Sequence, residues 1–166
     1  LLKENVILTP HYGEFIRLSG NSKQDLQEQP WAALEAYLVS SNCIINLKGA
    51  PSMVGSKTKG IFINPTGNEG LAKGGSGDIL AGLIAGFLSR GISALHAAIF
   101  GNYFHGKAAD DAIKDIRIPA LQPTYLLDYL KKNSPDLIIS DIMMPEMDGW
   151  KLVQKIKKSP IYGNIP

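Results

Sequence analysis

The chain has 166 residues, 45% hydrophobic and 19% charged. That is long enough for one domain or pieces of two, and too apolar and too weakly charged for a disordered chain. Lys+Arg 17 against Asp+Glu 15 leaves a net charge of +2, which gives no electrostatic case for a nucleic-acid partner or a membrane surface. The apolar run Ile79–Leu88 is broken by Gly82 and Gly86 and is too short to span a bilayer. Leu1–Glu4 does not read as a secretion signal, and the lone Cys43 has no internal disulfide partner. The expectation is a soluble, cytoplasmic protein.

In chain order, Val6–Leu8 reads as a buried strand running into Thr9-Pro10. Gly13–Leu18 fits one or two helical turns, and the polar stretch Gly20–Gln29 reads as a surface loop. Pro30 suits the first turn of a helix carrying Trp31, Leu34, Tyr37 and Leu38 to Ser40. Cys43–Leu47 is a second strand. Met53-Val54 and Gly60–Asn64 flank Gly55–Lys59 as a hairpin. Asn64–Gly77, rich in Gly, Asn, Thr and Pro, is a loop. Asp78–Arg90 is helical and stops at Gly91. Ser93–Ile116 is a second long helix with Leu95, Ile99, Tyr103 and Ala109 facing inward, and Pro123–Lys132 is a third. Strands alternating with helices predict an α/β fold with a largely parallel sheet, and ligands beyond the carboxyl ends of its strands.

Gly74-Gly75-Ser76-Gly77-Asp78, opening a helix, is the strongest chemical signal. Glycines permit positive φ and close backbone approach, while unpaired amides and the helix dipole favour an anion such as phosphate. No Gly-Lys-Ser/Thr follows at Walker A spacing. Asp78 beside a phosphate is repulsive unless it takes a proton from an attacking hydroxyl; its bland alternative is a helix cap. His96 and His105 are too far apart for an adjacent-turn metal pair and read as packing or surface residues. Asp110-Asp111 reads as a solvated face, and Cys43 as a small buried hydrophobe.

Asn64–Gly82, with Leu71-Ala72-Lys73-Gly74-Gly75-Ser76-Gly77-Asp78 at its centre, resembles the signature of the NAD(P)H-hydrate dehydratases, the YjeF carboxy-terminal-domain proteins of ribokinase-like fold. Thr9–Phe15, Lys48–Ser52 and His105–Asp110 resemble three further motifs of that family, in its order. The resemblance covers about residues 5–132. Glu69 stands where many members carry proline, and Ser52 where many carry threonine.

The resemblance implies a partial three-layer ribokinase-like fold and repair of hydrated NADH and NADPH. ADP or ATP, with Mg²⁺, would phosphorylate the hydrate's hydroxyl before phosphate is eliminated. Asp78 would be the catalytic base and would also touch the substrate, as would His11. Lys48, Gly49, Ala50, Pro51, Ser52, Gly74, Gly75, Ser76 and Gly77 would bind the nucleotide, and Glu14 would help order Mg²⁺ through water. Away from the resemblance, His11 reads as a loop hydrogen-bonder, Glu14 as a carboxylate at a helix start and Lys48–Ser52 as a strand-end turn.

Pro135–Trp150 resembles something unrelated: the phosphoacceptor segment of a response-regulator receiver domain, with Asp141 at the acceptor position. Leu137–Ile139 would be its strand and Asp148–Lys158 a helix, parts of a flavodoxin-like βα unit. The acidic pair that holds Mg²⁺ in that family is not found upstream, so Asp141 is expected to be inert. The resulting division is residues 1–132 for the dehydratase-like part and 133–166 for the receiver fragment. The family carries roughly as much sequence again before its Thr-Pro-His motif. A half sheet with an open edge predicts self-association into a homo-oligomer.

Overall fold

A computed structural model describes residues 6–132. The chain divides into two units, Leu1–Leu130 and Lys131–Pro166. Asp141 and the rest of the receiver-like segment lie outside the described residues.

Four strands, β1 (Ile7–Leu8), β2 (Ile44–Leu47), β3 (Met53–Ser56) and β4 (Gly60–Ile63), form one sheet in that order. Among the described residues only β1 and β2 run parallel; β2–β3 and β3–β4 are antiparallel. The sheet is therefore mixed, not largely parallel as the sequence suggested. Lys48–Ser52 is too short for a parallel crossover, which takes about a dozen residues, so β3 must fold back on β2. β1 is half-buried rather than buried, because it lies at the sheet edge and pairs only with β2 among the described residues.

One face of the sheet carries α1 (Tyr12–Ser19), α2 (Lys23–Glu28) and α3 (Pro30–Ser40). Pleating sends Cys43, Ile45 and Leu47 to that side, where they pack with Phe15, Leu26 and Leu34. Pro30 occupies the first turn of α3, where its missing N–H costs nothing. α2 stands where a surface loop was expected. Ser22 and Asp25 close a reciprocal capping box that starts it, and the buried Leu26 anchors it.

The opposite face carries α4 (Ser76–Ser89) and α5 (Ala94–Ala112), with Ile44 and Val54 against Ala98. Helices on both faces make three layers. The buried face of α5 is formed by Ala97, Ala98, Gly101, Ala108 and Ala109. Leu95 and Ile99 are half-buried and pack inward against the Ile44, Val54 and Ala98 cluster, whereas Tyr103 is 40% exposed, contrary to the sequence reading. Small residues line the seam because the helices approach closely: a Cβ at Gly101 would stand 2.6 Å from Ile84. Beyond α5, α6 (Pro123–Lys132) packs Leu126 and Tyr129 against Ala108, Ala109 and Ala112. No helix among the described residues is long and apolar enough to cross a membrane.

Candidate functional site

The carboxyl ends of β1 and β2 lie side by side. The Lys48 N–H donates to Pro10 O at 2.8 Å, and His11 pairs with Lys48 in a parallel bridge. This register brings two sequence-distant motifs together. His11 is also the N-cap of α1. Its Nδ1 accepts from the Glu14 N–H at 3.1 Å, and Glu14 Oε2 accepts from the His11 N–H at 2.7 Å. The cap aims the Glu14 carboxylate at Lys48, whose Nζ lies 3.7 Å from Oε2. The backbone N–H of His11, and then the charges of Lys48, His11 and Arg17, hold the Glu14 carboxyl below its usual range against an opposing contribution from desolvation.

Lys48 also reaches the glycine-rich loop: a Cβ at Gly77 would lie 3.4 Å from its Nζ. Gly75 is the N-cap of α4 with φ +90, a conformation that disfavours any side chain, and no side chain caps the helix. The Ser76 amide bonds to Lys73 O and the Asp78 amide to Gly75 O. The amides of Gly75 and Gly77 have no acceptor among the described residues. Two free amides at the positive end of a helix, with an ammonium beside them, are chemically suited to an anion. Asp78 is exposed, and its carboxylate has no hydrogen bond or ion pair among the described residues. It is not the N-cap, so the capping alternative falls away.

Long-range anchors set the path of this loop. Asn64 Nδ2 donates to Asn102 O and Ser52 Oγ; Ser52 Oγ donates to Asn102 Oδ1. Asp110 accepts from the Gly67 N–H at 2.9 Å and from Asn68 Nδ2 at 3.0 Å. Lys73 Nζ donates to the carbonyls of Ile118, Pro119 and Leu121 at 2.6–3.2 Å. Asp110 is thus a loop clamp rather than a solvated residue. Asp111, also expected on a solvated face, is bonded by Lys107 and Lys114, which lower its pKa to about 2. The Asp110 partners are hidden by chain distance, whereas Lys107 and Lys114 lie four and three residues from Asp111, a spacing at which helical side chains meet.

Ser52 and Ser76, read from sequence as nucleotide contacts, have their hydroxyls engaged within the protein: Ser52 Oγ with Asn102, and Ser76 Oγ with His105 Nε2 at 3.2 Å. Gly49, Ala50 and Pro51 are exposed. Tyr12 packs so closely on Gly49 that a Cβ there would run into its ring, and burial raises the tyrosine pKa. His96 is exposed and bonded to Ser93, while His105 is buried. Cys43 is buried and hydrogen-bonded to Ser41.

Among the described residues no group of three His, Cys, Asp or Glu side chains would hold a metal. Glu14 Oε2 already accepts the His11 amide, so Glu14 suits Mg²⁺ only through water, with phosphate oxygens as the inner ligands. Two hollows lie away from these residues. One of ≈ 240 Å³ lies between Asn42, Lys57, Lys59 and Ser93. The other, an apolar groove of ≈ 660 Å³, runs along Leu83 and Phe87.

A family model described as NAD(P)H-hydrate dehydratase matches residues 1–132. A response regulator receiver domain model matches residues 102–165. In the overlap, residues 102–110 are bonded to the 64–77 loop. The bifunctional NAD(P)H-hydrate repair enzyme Nnr of Moorella thermoacetica is 38% identical over 75% of this chain and 24% of its own. An ADP-dependent (S)-NAD(P)H-hydrate dehydratase of Neisseria meningitidis serogroup B is 39% identical over 64% of this chain and 36% of its own. The structure of ADP/ATP-dependent NAD(P)H-hydrate dehydratase from Bacillus subtilis, co-crystallized with ATP/Mg²⁺, superposes with a TM-score of 0.73 at 35% identity, covering 76% of this chain and 46% of that one. A ribokinase-like superfamily protein from Enterococcus faecalis superposes with a TM-score of 0.59 at 33% identity, covering 76% and 45%. The chain thus spans between about a quarter and half the length of these relatives.

Proposed function

The chain belongs to the NAD(P)H-hydrate dehydratase family, and on that premise we propose that it carries the nucleotide-phosphate and acid–base part of an ADP- or ATP-dependent dehydratase acting on hydrated NADH and NADPH. The observation that carries the reading is the meeting of Lys48 with the free amides of Gly75 and Gly77, next to the unpartnered Asp78. A nucleotide's terminal phosphates fit that constellation. Lys48 and Gly49–Ser52 follow one strand, the Gly74–Gly77 loop opens α4, and both would hold the nucleotide by backbone contact and charge.

Asp78 takes the proton of the hydrate's hydroxyl as its oxygen attacks the terminal phosphorus, breaking the phosphoanhydride bond. Phosphate then leaves with the C–O electron pair, and the proton on the neighbouring carbon passes to the departing phosphate as the C–H electrons form the ring double bond. The amides of Gly75 and Gly77 and the Lys48 ammonium stabilise charge on the moving group, a contribution of roughly 3–4 kcal/mol for a single such donor elsewhere. Mg²⁺, when bound with the nucleotide, neutralises phosphate charge, and Glu14 orders its water shell. His11, beside Lys48 at the strand ends, contacts the hydrate.

We assign residues 1–132 to this part and residues 133–166 to a receiver-derived segment with Asp141 at the acceptor position, a division the match over residues 102–165 favours only in its later portion. The exposed apolar residues Phe62, Ile63 and Leu88 support assembly with further copies of the chain. The weak net charge supports neither nucleic-acid nor membrane partners, and the lone Cys43 thiol suits a cytoplasmic setting.

The test is turnover of hydrated NADH with ADP or ATP and Mg²⁺, followed by the returning absorbance of the dihydronicotinamide. Asp78→Asn is expected to abolish turnover while leaving ADP affinity nearly intact. Equal turnover in that variant would remove Asp78 as the base.

A further inference from the structure

The His105–Asp110 motif takes no part in the chemistry above, yet its first residue reaches the anion site from beneath. His105 projects from the buried face of α5 and is 5% exposed. Its Nε2 lies 3.2 Å from Ser76 Oγ. Ser76, the first residue of α4, is itself 4% exposed. On either side of it stand the two amides without acceptors, Gly75 and Gly77. Holding Ser76 inward restrains its φ and ψ, which set the plane carrying the Gly77 N–H; the Gly75 N–H lies one plane further back and is held through the φ and ψ of Gly75. We propose that His105 is a positioning residue: through its hydrogen bond to Ser76 Oγ it holds that residue inward and keeps the Gly75 and Gly77 amides turned toward the phosphate.

The rest of the motif acts in the same direction on the other end of the loop. Asp110 binds the Gly67 amide and Asn68. Gly106 lets α5 approach Thr66 so closely that a Cβ there would run into it. α5 therefore shapes the loop at both ends, and His105 makes its contact between Gly75 and Gly77, at Ser76. Preset donors of this kind need no reorganisation when charge develops on the ligand.

The inference rests on the reading of Gly74–Asp78 as a nucleotide-phosphate site, so its test uses two readouts on the full 166-residue chain. The first is the amide resonances of Gly75 and Gly77 in the free protein; the second is titration with ADP and Mg²⁺. In His105→Leu both resonances should shift and ADP affinity should fall about tenfold, the scale of one lost hydrogen bond of about 1.4 kcal/mol. In His105→Gln, whose amide nitrogen falls where Nε2 does, affinity should return to within about threefold of the wild type. Ser76→Ala removes the same bond from the other side and decides the matter if His105→Leu does not fold. Wild-type affinity in a folded His105→Leu or Ser76→Ala, or an equal loss in His105→Gln and His105→Leu, overturns the inference. If the wild type itself binds no ADP, the phosphate-site reading falls. The resonances then decide alone: unshifted Gly75 and Gly77 amides in Ser76→Ala overturn the role of His105.

Discussion

Lys48 Nζ lies 3.7 Å from Glu14 Oε2, and the same ammonium borders Gly77 at the start of α4. Both partners are partly exposed, so the ion pair itself is worth at most about 1 kcal/mol. Its consequence is placement. The Glu14 carboxylate, fixed by the capping box with His11, holds a flexible lysine at the mouth of the glycine loop before any ligand arrives.

The buried His105 gives the fold a pH dependence on its acid side. Desolvation lowers its pKa from 6.5 to about 4, although a hydrogen bond at Ser76 pulls the other way. A histidine whose folded pKa is lowered contributes stability that is complete above the unfolded value and lost as pH falls toward the folded one. The window is therefore pH 6.5 down to about 4, and the shift corresponds to roughly 3 kcal/mol. Denaturant unfolding across that window should show the decline in the wild type and a much flatter profile in His105→Gln. Parallel profiles would mean that His105 is not neutral and buried as described.

Gly75 and Gly74 are neighbours with opposite tolerance. Gly75 has φ +90, whereas Gly74 has no left-handed φ and open space where a Cβ would go. Gly75→Ala should lose about 1–2 kcal/mol of stability from backbone strain alone, because the nearest atom to its Cβ, on Pro123, lies at an ordinary 3.7 Å. Gly74→Ala should be nearly neutral. Thermal unfolding of the pair checks this, and equal losses would contradict the assigned backbone.

Asn46 is fully buried in β2 on the side of the sheet facing α5, and both its side-chain polar atoms lack a partner among the described residues. Asn102 Nδ2 on α5 is likewise unpartnered. A buried amide without partners costs about 1–3 kcal/mol. Asn46→Val, which also suits a strand, should therefore raise stability by about 1 kcal/mol. A loss of similar size would show that Asn46 is satisfied by bound water instead.

Local signals carried much of this structure. Pro30 marked the start of α3, and the Gly74–Asp78 run marked the opening of α4, though the helix starts two residues earlier than expected, at Ser76 with Gly75 as its cap. Ser22 and Asp25 were equally local signals for α2, hidden by the polarity of the residues around them. The mixed sheet was also accessible, since the Lys48–Ser52 link is too short for a crossover. The loop anchors were not. Asp110 to Gly67, Lys73 to Ile118 and His105 to Ser76 join residues 29 to 45 positions apart. No periodicity encodes such pairs, and Asp110 beside Asp111 has the composition of a solvated surface. The resemblance to the dehydratases placed these residues in a motif but gave them no task.

The most direct test of the account is calorimetric titration of the full chain with ADP and Mg²⁺. Two free amides beside Lys48 predict saturable binding with Kd at or below about 1 mM, equivalent to roughly −4 kcal/mol. Lys48→Met should weaken it about tenfold, while Asp78→Asn should leave it nearly unchanged. No heat at millimolar ADP, or binding indifferent to Lys48→Met, would contradict the claim that the Gly74–Gly77 loop and Lys48 form a nucleotide-phosphate site.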